Sequence, residues 1–141
     1  MKFIPYLSFE GNAEEALEFY ANAFNGTIKT IMRYSEMPND EDNPPIPETY
    51  GNKILHAALG IGDEEIYLSD TFPGMKIKQG NAIEINITPG SEAELRSLFD
   101  KLVTGGKVQM PIEKMFWGSL FGSLTDKFGI GWNLDYELKS E

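Results

Sequence analysis

The chain contains no cysteine. That excludes a disulfide framework and removes the thiolate as a nucleophile or soft metal ligand. Histidine occurs once, as His56, so no imidazole cluster exists to hold zinc or nickel. Basic residues are scarce: 12 Lys and Arg stand against 22 Asp and Glu, for a formal net charge of −10 over 141 residues. Such a surface repels a phosphate backbone, so nucleic acid binding is not expected, nor is attachment to an anionic membrane. No apolar run approaches the ~20 residues that cross a bilayer as a helix. Met1-Lys2 leads straight into Phe3-Ile4 without the h-region and small-residue cleavage pattern of a signal peptide. The expected location is cytoplasmic. No GxSxG elbow occurs, which sets serine-hydrolase chemistry aside.

What is present is ordinary for a soluble globule: 41% hydrophobic and 24% charged residues. The length suits one domain, or two small fused modules. Residues 3–9 read as a strand, ended by Gly11-Asn12. Asn12 is placed to cap a helix, with Glu15 in capping-box position. Ala16, Leu17, Phe19, Tyr20, Ala23 and Phe24 recur at helical spacing, and Gly26 suits a left-handed stop. Residues 27–35, 53–61 and 64–69 read as strands, the last two turning at Gly62-Asp63. The segment 36–52 holds four prolines and a run of acidic residues. Proline denies it a ladder and charge denies it a core. It reads as a lid, a dimer arm or a mobile solvated loop.

Residues 71–79 lack a hydrophobic period and read as a linker. A second strand follows at 82–88, then a helix capped by Ser91 with Glu94 in capping-box position. Leu95, Leu98, Phe99 and Leu102 form its apolar face, and Gly105-Gly106 closes it. Residues 107–112, 117–125 and 130–138 read as strands. The last pair turns at Asp126-Lys127-Phe128-Gly129. Trp132, Leu134 and Tyr136 alternate with Asn133, Asp135 and Glu137, the period of a half-buried strand. The order is therefore strand, capped helix, glycine stop and three strands, twice. Asn12 and Ser91, Glu15 and Glu94, and Gly26 and Gly105 are each 79 residues apart. A repeat on this scale predicts two βαβββ modules, at 1–70 and 80–141. Two such units side by side would bend their sheets around a shared cavity, the natural ligand site.

Four motifs carry a resemblance: PYLSFEGNAEEALEFY at 5–20, EMP at 36–38, LSD at 68–70 and FWGSLFGSLTDKFGIGW at 116–132. With them the chain resembles the PhnB-like subfamily of the glyoxalase/bleomycin-resistance/dioxygenase group, also called the vicinal oxygen chelate superfamily. The resemblance implies an α+β fold of two βαβββ modules forming a glyoxalase-like open barrel with a central cleft. It also implies pairing of modules within or between chains, and a homodimer is expected. Some relatives carry a ubiquinone-methyltransferase label. No glycine-rich strand-to-helix nucleotide loop appears here, so methyl transfer is not expected. The wider group holds a divalent metal with His, Glu or Gln from the first and last strand of each module. Laid on this sequence, that pattern falls on Pro5, Tyr67, Glu84 and Asn133. Proline offers no side-chain donor, and phenol and amide are poor ligands. No metal and no other cofactor is therefore expected.

Three functions remain open. The first is a metal-free protein that binds a small molecule in the cleft. The second is an enzyme on a small polar metabolite with His56 or Glu84 as acid or base; an anionic substrate would need a local cation such as Lys114. The third is a non-catalytic partner protein using the acidic segment 36–52. Alternation places His56 opposite Leu55, Ala57 and Leu59, and puts Tyr67 with Ser69 on one strand face. It places Glu84 and Asn86 opposite Ile83, Ile85 and Ile87, with Asn133 and Asp135 on the matching face of the last strand. Phe116 and Trp117 would wall the ligand, while Trp132 packs against a helix. The candidate ligand residues are thus His56, Tyr67, Ser69, Glu84, Asn86, Phe116, Trp117 and Asn133. Asp70 ends its strand as a turn cap or a reacting group.

Overall fold

A computed structural model describes residues 1–38, 40–43 and 45–139. The chain divides into two compact units, Met1–Lys78 and Gln79–Glu141. The first runs β1 (Tyr6–Phe9), α1 (Ala13–Phe24), β2 (Thr27–Arg33), β3 (Ile54–Ile61) and β4 (Glu64–Asp70). The second runs β5 (Ile85–Ile87), α2 (Glu92–Val103), β6 (Lys107–Lys114), β7 (Ser119–Thr125) and β8 (Gly131–Glu137). Each unit is one βαβββ module with a four-stranded sheet, in the orders β1-β4-β3-β2 and β5-β8-β7-β6. The first strand of each module lies parallel to its last, and the other pairings are antiparallel.

The period-2 pattern decides which sheet face meets the helix. In the first unit Leu7, Phe9, Ala57, Leu59, Ile66 and Leu68 are buried. They share the interior with Ala13, Ala16, Leu17, Tyr20 and Ala23, the apolar stripe of α1. In the second, Leu120, Leu124, Trp132 and Leu134 are buried along with Leu95, Leu98, Phe99 and Leu102 of α2. Each fully buried leucine contributes about 1.5–3 kcal/mol. Helix α2 sits close to its sheet: a Cβ on Gly122 would lie 3.0 Å from Phe99 Cε2.

Both helices span 12 residues and keep the 79-residue offset, but their ends are built differently. Ser91 Oγ accepts from Glu94 N at 3.1 Å, and Glu94 Oε2 accepts from Gly90 N at 3.0 Å. Asn12 occupies the cap of α1 yet makes no side-chain cap bond, so the capping box expected with Glu15 does not form. Asp70, at the end of β4, does the capping. Its Oδ1 accepts from Gly11 N at 2.8 Å and Ala13 N at 2.9 Å, and its Oδ2 from Ile54 N at 2.9 Å. A carboxylate at a helix N-terminus also meets the positive end of the dipole. At the other end of α1, the left-handed residue is Asn25 (φ 53°), not Gly26. Gly26 is needed for space, since a Cβ there would lie 2.8 Å from the Gly60 carbonyl oxygen. Gly105 does take the left-handed role after α2, with φ 78°.

Several strands are shorter than the sequence suggests. The first begins at Tyr6 and not at residue 3, because Pro5 offers no amide hydrogen; its carbonyl accepts from Tyr67 N at 2.9 Å. Only Ile85–Ile87 of 82–88 is paired. Residues 34–36 leave the expected second strand as a 3₁₀ turn. Within the acidic segment, Glu48–Tyr50 forms another such turn, while Asn39 and Pro44 lie outside the described residues. Tyrosines tie the ends of this segment down. Tyr34 donates to Asp70 O at 2.6 Å, and Tyr50 donates to Thr71 O. The Tyr34 ring meets Tyr50 and Phe72 edge-on, at 5.1 and 5.5 Å between centroids.

Candidate functional site

Each sheet has one face on its helix and one turned away from it. On the latter face of the first unit stand Tyr6 and Ser8 from β1, beside Tyr67 and Ser69 from β4 in parallel register. Ala58 of β3 opposes Tyr67, so the alternation sends Ala57 inward and His56 outward, level with Ser69. Met32 of β2 opposes His56 on its other side. Three strands, β1, β3 and β4, thereby place His56, Tyr6, Tyr67 and Ser69 together. Tyr6 Oη is 2.9 Å from His56 Nδ1. The rings meet edge-on or tilted, with centroids 4.8 Å apart for His56–Tyr67 and 5.6 Å for both Tyr6 pairs. Desolvation raises the Tyr67 phenol above its ordinary pKa, and the adjacent Glu65 carboxylate adds to it. Tyr67 Oη donates to Glu65 Oε1 at 3.3 Å, and Lys29 Nζ lies 3.7 Å from Glu65 Oε2. The chemistry on offer is aromatic surface, one imidazole and hydroxyl groups.

The second unit presents a polar surface in the same position. Asn86 and Asn133 are register partners across β5 and β8, and Ser123 opposes Asn133. Asp135 Oδ1 accepts from Asn86 Nδ2 at 2.9 Å and from Thr88 Oγ1 at 2.7 Å. Its partners are thus already internal. Glu84, expected on the strand, precedes β5 and is exposed. It runs beside Gly131, where a Cβ would come within 3.1 Å of its Cγ. Phe116 and Trp117 lie in the β6–β7 turn, 97% and 57% exposed, and stack edge-on against each other at 4.9 Å. The turn needs Gly118 at φ 93°, and Leu138 N donates to the Gly118 carbonyl at 3.0 Å.

So the expected residues fall into separate groups. His56, Tyr67 and Ser69 come together in the first unit, and Asn86 and Asn133 in the second. Trp132 packs on the helix side as expected, only 1% exposed, with Nε1 donating to Asp126 Oδ2 at 2.8 Å. Asp70 is a cap and not a reacting group, since backbone amides occupy both of its oxygens. Tyr6 was not among the expected site residues. The alternation Tyr6, Leu7, Ser8, Phe9 contains the signal, because two large apolar residues claim the helix side. At the four places where the wider group holds a metal, the donors do not fit one. The Pro5 carbonyl is bonded to Tyr67 N, Tyr67 is a phenol, and Asn133 is an amide. Only Glu84 carries a carboxylate there, and among the described residues no three His, Asp or Glu are grouped to hold an ion.

Comparison with known proteins follows the same lines. A protein from Pseudomonas aeruginosa, PA1353, superposes with a TM-score of 0.85 at 32% identity, covering 99% of each chain. A PhnB protein from Bacillus cereus superposes at 0.78 with 29% identity, over 96% of this chain and 99% of that one. A glyoxylase/bleomycin-resistance/dioxygenase domain from Frankia shares the fold at 0.68, with 11% identity and 98% of each chain covered. Residues 1–135 match the family described as 3-demethylubiquinone-9 3-methyltransferase. The chain belongs to that family, and it shares the fold of the PhnB protein and of the glyoxylase/bleomycin-resistance/dioxygenase domain.

Proposed function

We propose that the protein binds a small molecule without a catalytic metal, and that the outward face of the first sheet supplies the main contacts. The observation that carries this reading is the Tyr6–His56–Tyr67 cluster. Two phenol rings and an imidazole gather on the face turned away from α1, without contributing to the packing under that helix. Aromatic surface with a few directed polar groups is what small ligands use for affinity and orientation. Asn86, Asn133, Phe116 and Trp117 are secondary contacts in this reading. A methyltransferase role draws no support from the two strand-to-helix junctions. One is closed by Asp70 and the other by Ser91 and Glu94, which leaves their amides committed within the protein.

The enzyme reading with Glu84 as base is weakened by its exposed position ahead of β5. The acidic segment as a partner-binding arm is weakened by Tyr34 and Tyr50, which fasten it to the end of β4. We further propose a cytoplasmic homodimer. The exposed Phe3 and Ile83 are surfaces a second copy would cover. Sedimentation equilibrium at micromolar concentration is expected to give twice the chain mass; a monomer alone refutes the dimer.

Chelator-free purification followed by elemental analysis and native mass spectrometry tests the main reading. The expected result is far less than one equivalent of zinc, nickel, iron or manganese, and a co-purified organic mass that His56→Ala or Tyr67→Ala reduces. Near-stoichiometric metal removed by Glu84→Gln would return the metalloenzyme reading to the front.

A further inference from the structure

Tyr6 and His56 fix more than a contact. A phenol is a strong donor and a weak acceptor, whereas a neutral imidazole nitrogen is a good acceptor. Donation from Tyr6 Oη–H to His56 Nδ1 is the direction that uses both groups of the 2.9 Å pair at their strengths. With Nδ1 accepting, the single proton of the neutral ring sits on Nε2. Nε2 has no hydrogen-bond partner among the described residues, and none of their buried side-chain nitrogens or oxygens lacks one. Nε2 is therefore open to solvent. We propose that Tyr6 is a positioning residue that holds His56 as an outward N–H donor, so that this face selects ligands carrying an acceptor oxygen on a flat, uncharged body.

The rest of the class follows from the neighbours. Tyr6 and Tyr67 offer contiguous ring surface on one side of His56, at centroid distances of 5.6 and 4.8 Å from the imidazole, which suits a planar group. Ser69 supplies a further hydroxyl at the same level of the sheet. Charge argues against an anion: the Glu65 carboxylate is bonded to Tyr67, and the chain carries −10. Lys29, the cation on this face, is already directed to Glu65. A ligand with a conjugated carbonyl, such as an aryl ketone, meets all of these conditions. The inference also separates donor from base. An imidazole held in this tautomer does not present its lone pair to a bound molecule, so the site favours recognition over proton abstraction.

This proposal rests on the small-molecule reading above, and the experiment distinguishes their failures. His56 is the sole histidine, so its imidazole nitrogens give unambiguous two-dimensional NMR signals. Spectra are recorded at pH about 8.5, where imidazole is neutral. The wild type is expected to show the Nε2–H tautomer and Tyr6→Phe a mixture. Acetophenone is expected to shift the Nε2 signal saturably, with affinity about fivefold weaker in Tyr6→Phe, the effect of one neutral hydrogen bond. His56→Gln, which keeps an N–H donor, retains binding followed on the Tyr67 ring signals, and His56→Leu loses it. A dominant Nδ1–H tautomer overturns the proposal, as does a His56 signal unmoved by acetophenone. Saturable binding of benzylamine without acetophenone overturns the donor rule and leaves the binding reading standing. Silence toward both probes overturns the two together.

Discussion

The two modules share an element order, a helix length and a helix offset, yet each buries its acidic side chain in a different place. Among the described residues those side chains are Asp70, 2% exposed, and Asp126, 3% exposed. Each accepts three N–H groups. Asp70 takes the amides of Gly11, Ala13 and Ile54, joining the start of α1 to β3. Asp126 takes the amides of Phe128 and Ile130 and the indole of Trp132, closing the β7–β8 turn. Asp70 stands beside Phe9 in the parallel register; the residue beside Ile87 in the second module is Leu134. The second helix caps itself through Ser91, so that strand position is free to be apolar. Conversely, the buried Trp132 needs a partner for its N–H, whereas Leu68, at the matching place beside Leu7, does not. The repeat has thus preserved its elements and redistributed the groups that satisfy their ends.

The largest expected effect tests whether capping really moved. Asp70→Ala orphans three backbone amides in the interior and should cost about 4 kcal/mol in urea unfolding. Ser91→Ala removes one exposed cap bond and should cost about 1 kcal/mol. Asn12→Ala, at the cap that makes no side-chain bond, should cost less than about 0.5 kcal/mol. If Asn12→Ala proves as costly as Ser91→Ala, the two helices start alike and the comparison fails.

Next in size is the indole pair. Asp126→Ala should cost about 3 kcal/mol, since Trp132 Nε1 and two turn amides lose their acceptor. Trp132→Phe should cost about 2 kcal/mol through lost volume and loss of the indole bond to Asp126. A double-mutant cycle should give about 1–2 kcal/mol of coupling. Additive losses would mean that the turn, and not the tryptophan, is what Asp126 serves.

These placements show what the sequence carried and what it did not. Both helices, the order of elements and the two sheet faces were legible, because apolar periodicity reports burial directly. Tyr67, Ser69 and His56 were legible as one group for the same reason. The α1 cap was not, because Asp70 comes from a strand 57 residues away from the Ala13 amide it serves, and no local pattern announces such a bond. Gly26 was recognised as necessary but for a different reason, since its neighbour Gly60 belongs to another strand. Glu84 was assigned to a strand face from alternation alone, but pairing ends at Ile85 and leaves it exposed.

Alkaline pH sharpens the contrast further, because the tyrosine clasp belongs to the first module. Burial, with smaller contributions from Tyr50 and Asp70, raises the Tyr34 phenol to about 12. The folded chain keeps this proton at a pH where the unfolded chain, with a phenol near its ordinary value of 10, releases it. The contribution is therefore complete below pH about 10 and is lost as pH rises toward about 12, amounting to about 2 kcal/mol. Tyr34→Phe removes the bond to Asp70 O and should lower stability at neutral pH by about 1 kcal/mol. It should also flatten the decline above pH about 10. An unchanged alkaline slope in Tyr34→Phe would assign that decline to other groups.

The smallest effect concerns a pair that the second module lacks. Arg33 reaches Glu14 on α1 with both terminal nitrogens, at 3.0 and 2.8 Å, and also donates to Asn52 O at 2.6 Å. At the same helix position, offset by 79 residues, the second module has Ala93. The Arg33 hydrogen bond lowers the Glu14 carboxyl below its ordinary value; burial opposes the shift, and the Arg33 and Lys53 charges reinforce it. A depressed acid contributes stability that is present above its unfolded pKa and is lost as pH falls through the folded one. The loss therefore begins below the ordinary carboxylate range near 4.5. The pair is partly exposed, at 31% for Arg33 and 47% for Glu14. Solvent screening holds its worth to about 0.5 kcal/mol despite the two-pronged geometry. Glu14→Gln should cost that much at low salt and nearly nothing in about 1 M salt, where charges are screened within about 3 Å. A cost unaffected by salt would mean that Arg33 acts through packing and its bond to Asn52, and that the ion pair adds nothing to the first module.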